Sequence, residues 1–395
     1  MNVLQINQSY IIRGGVEVYI HQLQELLPKY DILTFFIAIS EPNEAKKFKI
    51  TGKNILLPNK TRKEVEQFLN LYIEKNKIDL IHIHSVSNKD LLKFCLEKKP
   101  VVRTIHEPRM FCPGRQKFLL KSESICNKPF GLNCFIKAYT EKCQDSRIPS
   151  EVIRSYSNVK FEINFAAKRY KRIVAMSNYV KNEAVLAGIP EKNIMVNSCF
   201  TPVINESHGK FNNTYSVKRI VFVGRLHPSK GIHILIKSLS NIFKNQDNVV
   251  LDIIGDGAFK HQLLNLISLE NIPSEKIIFH GWLSHEETTE KIEQAYLIVF
   301  PSIYPEAFGI VGIEAMMRSK PVVAFNVGGV SDWLDNNITG FLVEVKNEKM
   351  FEEKLHTLLS DEKLYNIFSL NARKIVLDKF TPEIHITKLV ELYRS

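Results

Sequence analysis

The chain has 395 residues, which is enough for two or three domains. Its hydrophobic fraction of 45% and charged fraction of 24% are those of a globular protein and exclude a disordered or fibrous chain. Lys and Arg outnumber Asp and Glu by 53 to 42, a net charge of +11 that favours phosphates, polyanions or a membrane face as partners. A generally Lys-rich composition explains the same excess, so charge alone selects no partner.

No stretch of the sequence has enough consecutive apolar residues to span a bilayer. The first residues, MNVLQINQSYIIRGG, lack the basic head, long apolar core and small-residue cleavage site of a signal peptide. These observations predict a cytoplasmic protein, with peripheral contact at the inner membrane face as an option. In that compartment the six Cys are not expected to form stable disulfides.

Short apolar strands alternate with amphipathic helices through the first half of the chain. The predicted strands are residues 3–6, 32–38, 80–83, 101–105 and 173–175, and the predicted helices include 16–27, 63–74 and 89–97. This alternation is typical of a mainly parallel, doubly wound sheet. Residues 1–200 are therefore interpreted as one Rossmann-like domain.

A second alternating series follows a short polar segment. Residues 201–217 hold Pro, Gly and Asn and few apolar residues, which predicts a linker. The predicted strands after it are 218–223, 249–254, 277–280, 297–300, 322–325 and 341–343. Residues 218–380 are interpreted as a second Rossmann-like domain and residues 381–395 as a final helix. The predicted fold class is thus α/β, with two doubly wound domains facing across a cleft.

The most informative segment is Pro305-Glu-Ala-Phe-Gly-Ile-Val-Gly-Ile-Glu-Ala315, which follows a predicted strand and opens a helix. Backbone N–H groups and the positive end of a helix dipole bind anions at such a position. Two carboxylates, Glu306 and Glu314, flank this turn. Acidic side chains beside an anion site suit a ligand that joins phosphate to hydroxyl groups, such as a nucleotide sugar.

Two cations follow the first strand of the second half, in Val221-Phe-Val-Gly-Arg-Leu-His-Pro-Ser-Lys-Gly231. Gly224 permits a sharp turn, after which Arg225 and Lys230 could neutralise a diphosphate. The alternative is a solvated basic loop. Further glycine turns, Gly255-Asp-Gly257 and Gly328-Gly329, are each weak indicators by themselves.

Together these motifs resemble the retaining GT-B glycosyltransferases of family 4, or glycosyl transferases group 1. The matching strings are Gly224 to Gly231, Gly255-Asp-Gly257, Phe279-His-Gly-Trp282, Pro301-Ser302, and the family's Glu-x7-Glu element from Glu306 through Phe308-Gly309 to Glu314-Ala315-Met316. The first half matches more loosely, through Gly14-Gly15 and His106. The resemblance implies a donor site in the second domain, an acceptor site mainly in the first, and a final helix that packs back on the first domain.

The resemblance also implies roles for individual residues. Arg225 and Lys230 would contact the diphosphate of a UDP- or GDP-sugar. Gly224 and Gly255 would border this donor, and Gly14 and Gly15 would approach its phosphate from the first domain.

Glu306 would bind hydroxyl groups of the transferred sugar, with backbone N–H groups from Phe308, Gly309 and Ile310, and Glu314 would hold the ribose. His106 would lie near the reacting centre, so the implied catalytic residues are His106, Arg225, Lys230 and Glu306. The alternative for His106 is a hydrogen-bonded loop histidine.

The expected chemistry is glycosyl transfer through an oxocarbenium-like state, with negative charge growing on the diphosphate. Cations and helix N-termini stabilise that charge, and the sequence has no Asp-x-Asp motif, so no catalytic metal is expected. Retention by same-face substitution and by a covalent intermediate both stay open, because no residue stands out as a nucleophile.

Four of the six Cys fall in a probable insert at about residues 107–145: Cys112, Cys126, Cys134 and Cys143. Four thiolates could hold a structural Zn²⁺, but no close Cys-x-x-Cys pair is present. Zinc and free thiols therefore remain alternatives, and a disulfide is less expected in the cytosol. The insert follows His106 and is expected to shape the acceptor pocket.

The expected acceptor is a saccharide, a lipid-linked molecule or another small molecule, and the expected pathway is polysaccharide, glycolipid or other glycoconjugate synthesis. A basic cluster, interpreted as a helix end, could meet anionic lipid or could be a solvated helix face; it comprises Lys160, Lys168, Arg169, Lys171 and Arg172. No nucleic-acid partner is expected, because no RNA- or DNA-binding motif accompanies these residues. The rival functions are a nucleotide-sugar epimerase or phosphorylase on the same fold, and a non-catalytic sugar-nucleotide-binding homologue.

Overall fold

The computed structural model of the chain describes residues 1–9, 14–39, 54–56, 62–144, 146–204 and 216–395. These residues form two compact α/β units. Unit 1 comprises Met1–Ser122, Cys126–Cys199 and Pro382–Ser395, and unit 2 comprises Glu123–Ile125 and Phe200–Thr381. Arg13 and most of the predicted linker, residues 205–215, lie outside the described residues.

The main sheet of unit 1 has the strand order β3-β2-β1-β4-β5-β8-β9 and is parallel throughout the described pairings. Its strands are β1 (Asn2–Asn7), β2 (Leu33–Ala38), β3 (Asn54–Leu56), β4 (Leu80–Ile83), β5 (Val101–Ile105), β8 (Arg172–Ala175) and β9 (Ile194–Val196). Two two-residue strands, β6 (Phe118–Leu119) and β7 (Ser124–Ile125), lie in the insert after β5. The strand order reverses between β1 and β4, which is the position where ligands bind in open α/β sheets.

The helices of unit 1 follow the amphipathic segments of the sequence. They are α1 (Gly15–Leu26), α2 (Arg62–Lys75), α3 (Lys89–Lys98), α4 (Asn133–Thr140), α5 (Pro149–Asn164), α6 (Asn178–Leu186) and, after unit 2, α13 (Pro382–Arg394). The last helix buries Leu389 and Tyr393 in unit 1, and the Tyr393 hydroxyl shares a hydrogen bond of 2.6 Å with His82 of β4. Unit 1 is therefore built from both ends of the chain.

The sheet of unit 2 has the order β12-β11-β10-β13-β14-β15 and is also parallel. Its strands are β10 (Lys218–Val223), β11 (Val249–Ile254), β12 (Ile277–Gly281), β13 (Leu297–Phe300), β14 (Val322–Phe325) and β15 (Gly340–Val343). The order reverses between β10 and β13, so the loops that leave these two strands meet at the ligand-binding edge of the sheet.

The helices of unit 2 alternate with strands that are mostly apolar and buried, although the inner strand β11 also buries Asp252. They are α7 (Ile232–Asn245), α8 (Lys260–Leu269), α9 (His285–Gln294), α10 (Ile310–Met317), α11 (Glu348–Ser360) and α12 (Glu362–Lys379). A capping box fixes the start of α9, where Ser284 and Glu287 each satisfy the other's backbone N–H. Among the described helices of both units, none is long and apolar enough to cross a membrane.

Candidate functional site

The reversal point of the second sheet brings together two loops that are far apart in sequence. The loop after β10 carries Lys230, and the loop after β13 carries Glu306. The backbone carbonyl of Ser229 accepts a 2.9 Å hydrogen bond from the N–H of Ile303, which links the two loops. Gly231 has a φ of +66°, and a side chain there would meet the carbonyl oxygen of Pro301 at 1.9 Å. A glycine is therefore required for the loops to approach this closely.

Lys230 and Glu306 form a partly buried ion pair between these loops. The Lys230 ammonium donates to Oε1 of Glu306 at 2.6 Å and to the hydroxyl of Tyr304 at 3.3 Å. Ser302 donates to the same Oε1 at 2.6 Å, and Tyr304 donates to Oε2 at 2.5 Å. Since 7% of Glu306 is exposed, these bonds hold the carboxylate in one orientation at the edge of the sheet.

The backbone of Glu306 is itself packed against a glycine loop that leaves β14. The Glu306 carbonyl accepts the N–H of Gly329 at 2.8 Å. Gly328 has a φ of +54°, and a side chain there would meet the Glu306 carbonyl oxygen at 2.2 Å. Three strand-end loops therefore converge on this carboxylate, as the glycine turns in the sequence predicted.

The helix α10 begins four residues after Glu306 in the chain. Gly309 precedes the helix in a left-handed conformation with a φ of +95°, which favours glycine. Phe308 is buried, and its carbonyl accepts the indole N–H of Trp333 at 2.6 Å. Ile310 begins the helix, so its N–H is one of those that a helix start leaves without an internal acceptor.

Glu314 and Arg225 lie in the same unit but in different surroundings. Glu314 is in α10, where burial raises the pKa of its carboxyl group and the nearby His285 and Arg318 partly oppose that rise. Arg225 is exposed and makes no ion pair within the described part of the chain. Gly224 and Gly255 are in contact, because a side chain on Gly255 would meet the Gly224 carbonyl oxygen at 2.0 Å.

In unit 1, His106 follows β5 and lies in a cluster of buried rings. Its Nε2 shares a hydrogen bond of 3.0 Å with Nδ1 of His84, which follows β4. The ring of Tyr19 packs edge-on against His106 at 5.2 Å, and its hydroxyl shares a 2.9 Å hydrogen bond with His385 of α13. His82 lies in the same cluster, 4.2 Å from the ring of His84.

Burial keeps these histidines neutral. Desolvation, with the positive charge of Arg103 and the proximity of His385, lowers the pKa of His106 to about 3. Burial likewise lowers the pKa of His385 to about 4 and the pKa values of His82 and His84 well below the usual value. His106 is thus a neutral, hydrogen-bonded side chain at a strand end. Its hydrogen bond to His84 agrees with the loop-histidine alternative, and its place near the reacting centre stays a prediction.

Gly14 and Gly15 lie at the start of α1, after the reversal-point strand β1. Both residues are exposed, and Gly14 has an extended φ of −177° that any residue can adopt. A side chain on Gly14 would meet nothing within 4 Å in the described structure. The packing of the chain itself therefore does not require this glycine.

The four insert cysteines line one small cavity of about 20 Å³. The backbone N–H groups of Gly114 and Lys117 donate to the sulfur of Cys112, yet burial still raises the pKa of this thiol. Burial also raises the pKa of Cys143 to about 12, and all six Cys are free thiols.

Within the described residues, no three or more His, Cys, Asp or Glu side chains are arranged to hold a metal ion. A zinc site needs four ligands at about 2.3 Å from a common point. Zinc binding and free thiols both stay predictions for Cys112, Cys126, Cys134 and Cys143, which line one cavity. Metal analysis of the purified chain distinguishes the two.

Sequence reasoning missed the groups that orient the candidate residues. Tyr304 was not selected from the sequence, and Ser302 was named only as part of a matching string, without its bond to Glu306. His84 was detectable in principle, because the His-x-His spacing of His82 and His84 puts both rings on one face of a strand.

Comparison with known families identifies the chain. Residues 13–201 match the family described as Glycosyltransferase Family 4, and residues 203–375 match the family described as Glycosyl transferases group 1. The chain belongs to the family 4 glycosyltransferases. The two matched regions correspond to the two halves of the sequence, so the resemblance predicted for both is confirmed.

Relatives of this glycosyltransferase include proteins of similar length. An uncharacterized glycosyltransferase of Methanocaldococcus jannaschii is 25% identical over 95% of this chain and 93% of that protein. The capsular polysaccharide biosynthesis glycosyltransferase CapM of Staphylococcus aureus is 30% identical over 57% and 59% of the two chains. The solved structure of Anabaena HepE in complex with UDP and glucose superposes with a TM-score of 0.73 over 100% of both chains at 18% identity, which confirms the predicted GT-B fold.

Proposed function

We propose that this glycosyltransferase moves a hexosyl or N-acetylhexosaminyl residue from a UDP- or GDP-sugar to a saccharide, lipid-linked or other small acceptor, with retention of anomeric configuration. The observation that carries the donor assignment is the Lys230–Glu306 ion pair at the reversal point of the second sheet. A cation and an oriented carboxylate in contact match the two chemical halves of a nucleotide sugar, its diphosphate and its hydroxyl groups.

Lys230 is suited to bind the diphosphate without losing its present contacts. An ammonium group has three N–H donors. Two of them are directed to Glu306 and Tyr304. The third is available for a phosphate oxygen, and the exposed Arg225 supplies a second cation on the same loop. Fixed cations lower the energy of the charge that grows on the diphosphate as the sugar leaves.

Glu306 is proposed to accept hydrogen bonds from hydroxyl groups of the transferred sugar. Its two oxygens have about four lone-pair sites, and the Lys230, Ser302 and Tyr304 bonds use three of them. Backbone N–H groups at Phe308, Gly309 and Ile310 would complete the anion site. Glu314 would hold the ribose, with Gly224 and Gly255 leaving room for the nucleotide.

Unit 1 is proposed to supply the acceptor site. His106 would act there as a neutral hydrogen-bonding group, because its pKa of about 3 leaves it uncharged at physiological pH. Gly14 and Gly15 would approach the donor phosphate, which is consistent with their exposure and with the absence of any described atom within 4 Å of a side chain placed on Gly14. The proposed roles use no catalytic metal, and they are the same for retention by same-face substitution and by a covalent intermediate.

Two relatives of known substrate or pathway support the proposed substrate classes. HepE was solved with UDP and glucose, and CapM takes part in capsular polysaccharide synthesis. We infer by analogy a nucleotide sugar as donor and a role in cell-surface polysaccharide or related glycoconjugate synthesis at the cytoplasmic face of the membrane.

The proposal is tested first by donor binding and then by transfer. UDP- and GDP-sugars are screened by thermal shift, since a ligand that binds only the folded state raises the Tm. The donor that stabilises the chain is then used in transfer assays, and the anomeric configuration of fresh product is read by NMR. We expect Glu306→Gln and Lys230→Gln to lower transfer about 10²-fold.

Matched controls are the exposed residues Glu344 and Lys349 of the same unit. Glu344→Gln and Lys349→Gln are expected to retain wild-type transfer. Folded Glu306→Gln and Lys230→Gln variants with unchanged turnover would show that the site is wrong. Donor binding without transfer to any acceptor would favour the non-catalytic homologue, and an inverted product would refute retention.

A further inference from the structure

Five large apolar side chains in one short segment of unit 1 are exposed to solvent. Their exposed fractions are 77% for Leu132, 62% for Ile136, 46% for Tyr139, 58% for Ile148 and 59% for Ile153. We call these five residues the insert face. Single exposed apolar residues are ordinary on soluble proteins, but a group of them marks a binding surface.

The insert face extends over two helices that are packed together. The ring of Phe135 in α4 stacks on the ring of Tyr156 in α5, with centroids 4.2 Å apart. Leu132 is three residues before Phe135, and Tyr139 is four residues after it. Ile153 is three residues before Tyr156. Residues at these spacings share one side of a helix. The exposed side chains therefore flank the contact between α4 and α5.

Exposed basic residues lie close in sequence to the residues of the insert face. Residues 128–160 contain six Lys or Arg and three Asp or Glu. Lys142, Arg147, Arg154 and Lys160 are all exposed, and two of them adjoin Ile148 and Ile153 in sequence. The ion pair between Arg154 and Glu151, at 3.6 Å, is open to solvent and therefore weak. These cations are available to an anionic partner.

We propose that the insert face binds the surface of an anionic lipid bilayer. Helices that lie in a membrane interface combine an apolar face with flanking Lys and Arg, whereas Lys is depleted in interfaces between proteins. Tyr139 suits the level of the lipid headgroups, because its ring is apolar and its hydroxyl can stay in contact with water. The apolar side chains enter the boundary between headgroups and acyl chains, and the cations contact lipid phosphates.

This inference does not depend on the proposed sugar transfer, and its test needs no substrate. The full chain is sedimented with vesicles of phosphatidylcholine alone or with phosphatidylglycerol added. We expect binding to the anionic vesicles that weakens as salt rises, because salt screens the Lys and Arg contacts. The variant Leu132→Ser/Ile136→Ser/Tyr139→Ser is expected to bind these vesicles at least about tenfold more weakly, because it loses the apolar area that would enter the lipid.

The matched control changes three exposed leucines outside the insert face. Leu264, Leu269 and Leu370 have exposed fractions of 47%, 79% and 60%, close to those of the test residues. Their combined replacement by Ser is expected to leave vesicle binding unchanged. Equal loss in both triple variants, or no binding of the wild-type chain to anionic vesicles, would overturn the proposal.

A fluorescent reporter tests whether this face itself enters the lipid. The chain has two Trp, of which Trp282 is exposed and Trp333 is buried. In Ile136→Trp/Trp282→Phe, lipids brominated on the acyl chain are expected to quench the new indole, whereas Leu269→Trp/Trp282→Phe is expected to stay unquenched. Absence of quenching at position 136 would show that the insert face does not enter the lipid. A wild-type chain that is dimeric, with a triple Ser variant that is monomeric, would assign the face to contact between two copies of the chain.

Discussion

At the scale of single residues, a cluster of desolvated histidines in unit 1, three of them buried and His106 half-buried, couples stability to acidity. Four of them have lowered pKa values, with desolvation as the main cause: His82, His84, His106 and His385. Between about pH 6.5 and the lowered pKa, the unfolded chain binds a proton that the folded chain does not. Stability is therefore fully present above about pH 6.5 and is lost as the pH falls.

His106→Gln is expected to resist acid better than the wild type, relative to their stabilities at pH 7. One such histidine makes the free energy of unfolding fall by up to about 1.4 kcal/mol per pH unit below pH 6.5, and its replacement removes this contribution. Urea unfolding of unit 1 between pH 7 and pH 4 measures the difference. His356→Gln, at an exposed position, is the control. Parallel stability curves for His106→Gln and the wild type would contradict the assigned protonation state.

At the scale of elements, a buried ion pair ties α5 to β5. Nε of Arg103 donates to Oε1 of Glu162 at 2.7 Å, and both side chains are at most 2% exposed. Tyr170 donates to the same carboxylate oxygen at 3.1 Å, and Nη2 of Arg103 donates to the Val86 carbonyl at 2.8 Å. Removing either charge leaves the other buried and uncompensated.

Glu162→Gln is expected to destabilise the chain by about 3–5 kcal/mol, because it breaks a buried pair by removing one charge. The double variant Arg103→Met/Glu162→Leu is expected to recover most of that loss. Urea denaturation gives the free energies of unfolding, and Glu97→Gln, in the exposed Lys93–Glu97 pair, is the control with a change of about 0.5 kcal/mol or less. A double variant less stable than Glu162→Gln would show that side-chain packing outweighs charge here.

The sequence predicted the inner strands of both sheets and the edge strands of the second sheet, and missed the edge strands of the first. Residues 101–105, 249–254 and 322–325 were predicted with the bounds that the structure has, because strands buried on both faces are mostly apolar, even where a buried Arg103 or Asp252 interrupts the run. β3 and β9 were missed, since each has three residues and lies at a sheet edge where pairing defines it.

Other elements depend on the chain's surroundings rather than on local pattern. The basic cluster predicted at one helix end is divided among α5, a 3₁₀ turn and β8. Likewise Lys230 and Glu306 were both selected from the sequence, but their contact was not predictable from it. It depends on the pairing of β10 with β13, which brings together residues that are 76 positions apart.

At the scale of the whole molecule, the last helix closes the buried core of unit 1. Tyr393 bonds His82, and His385 shares a hydrogen bond with Tyr19 and also bonds the Ser198 carbonyl through Nδ1 at 2.7 Å. Unit 2 contributes nothing to these bonds, so loss of the helix should affect the two units unequally.

Deletion of residues 382–395 is expected to destabilise unit 1 and to spare unit 2. Tyr19 and its neighbours in unit 1 would become exposed, and His82 would lose its hydrogen bond to Tyr393 and keep an unpaired ring nitrogen. Amide hydrogen exchange is expected to accelerate in β1 and β4 while β10 and β11 stay protected. Deletion of Ser395 alone is the control, and equal acceleration in both units would contradict the division.

The return of α13 also limits how this architecture can recombine. A single crossover near residue 200 would join one parent's first half to another parent's second half and final helix. The foreign helix would then have to fit the Tyr19 and His82 pocket of unit 1. Exchange of unit 2 between relatives therefore needs two junctions, one before β10 and one before Pro382, so that each parent's first unit keeps its own last helix.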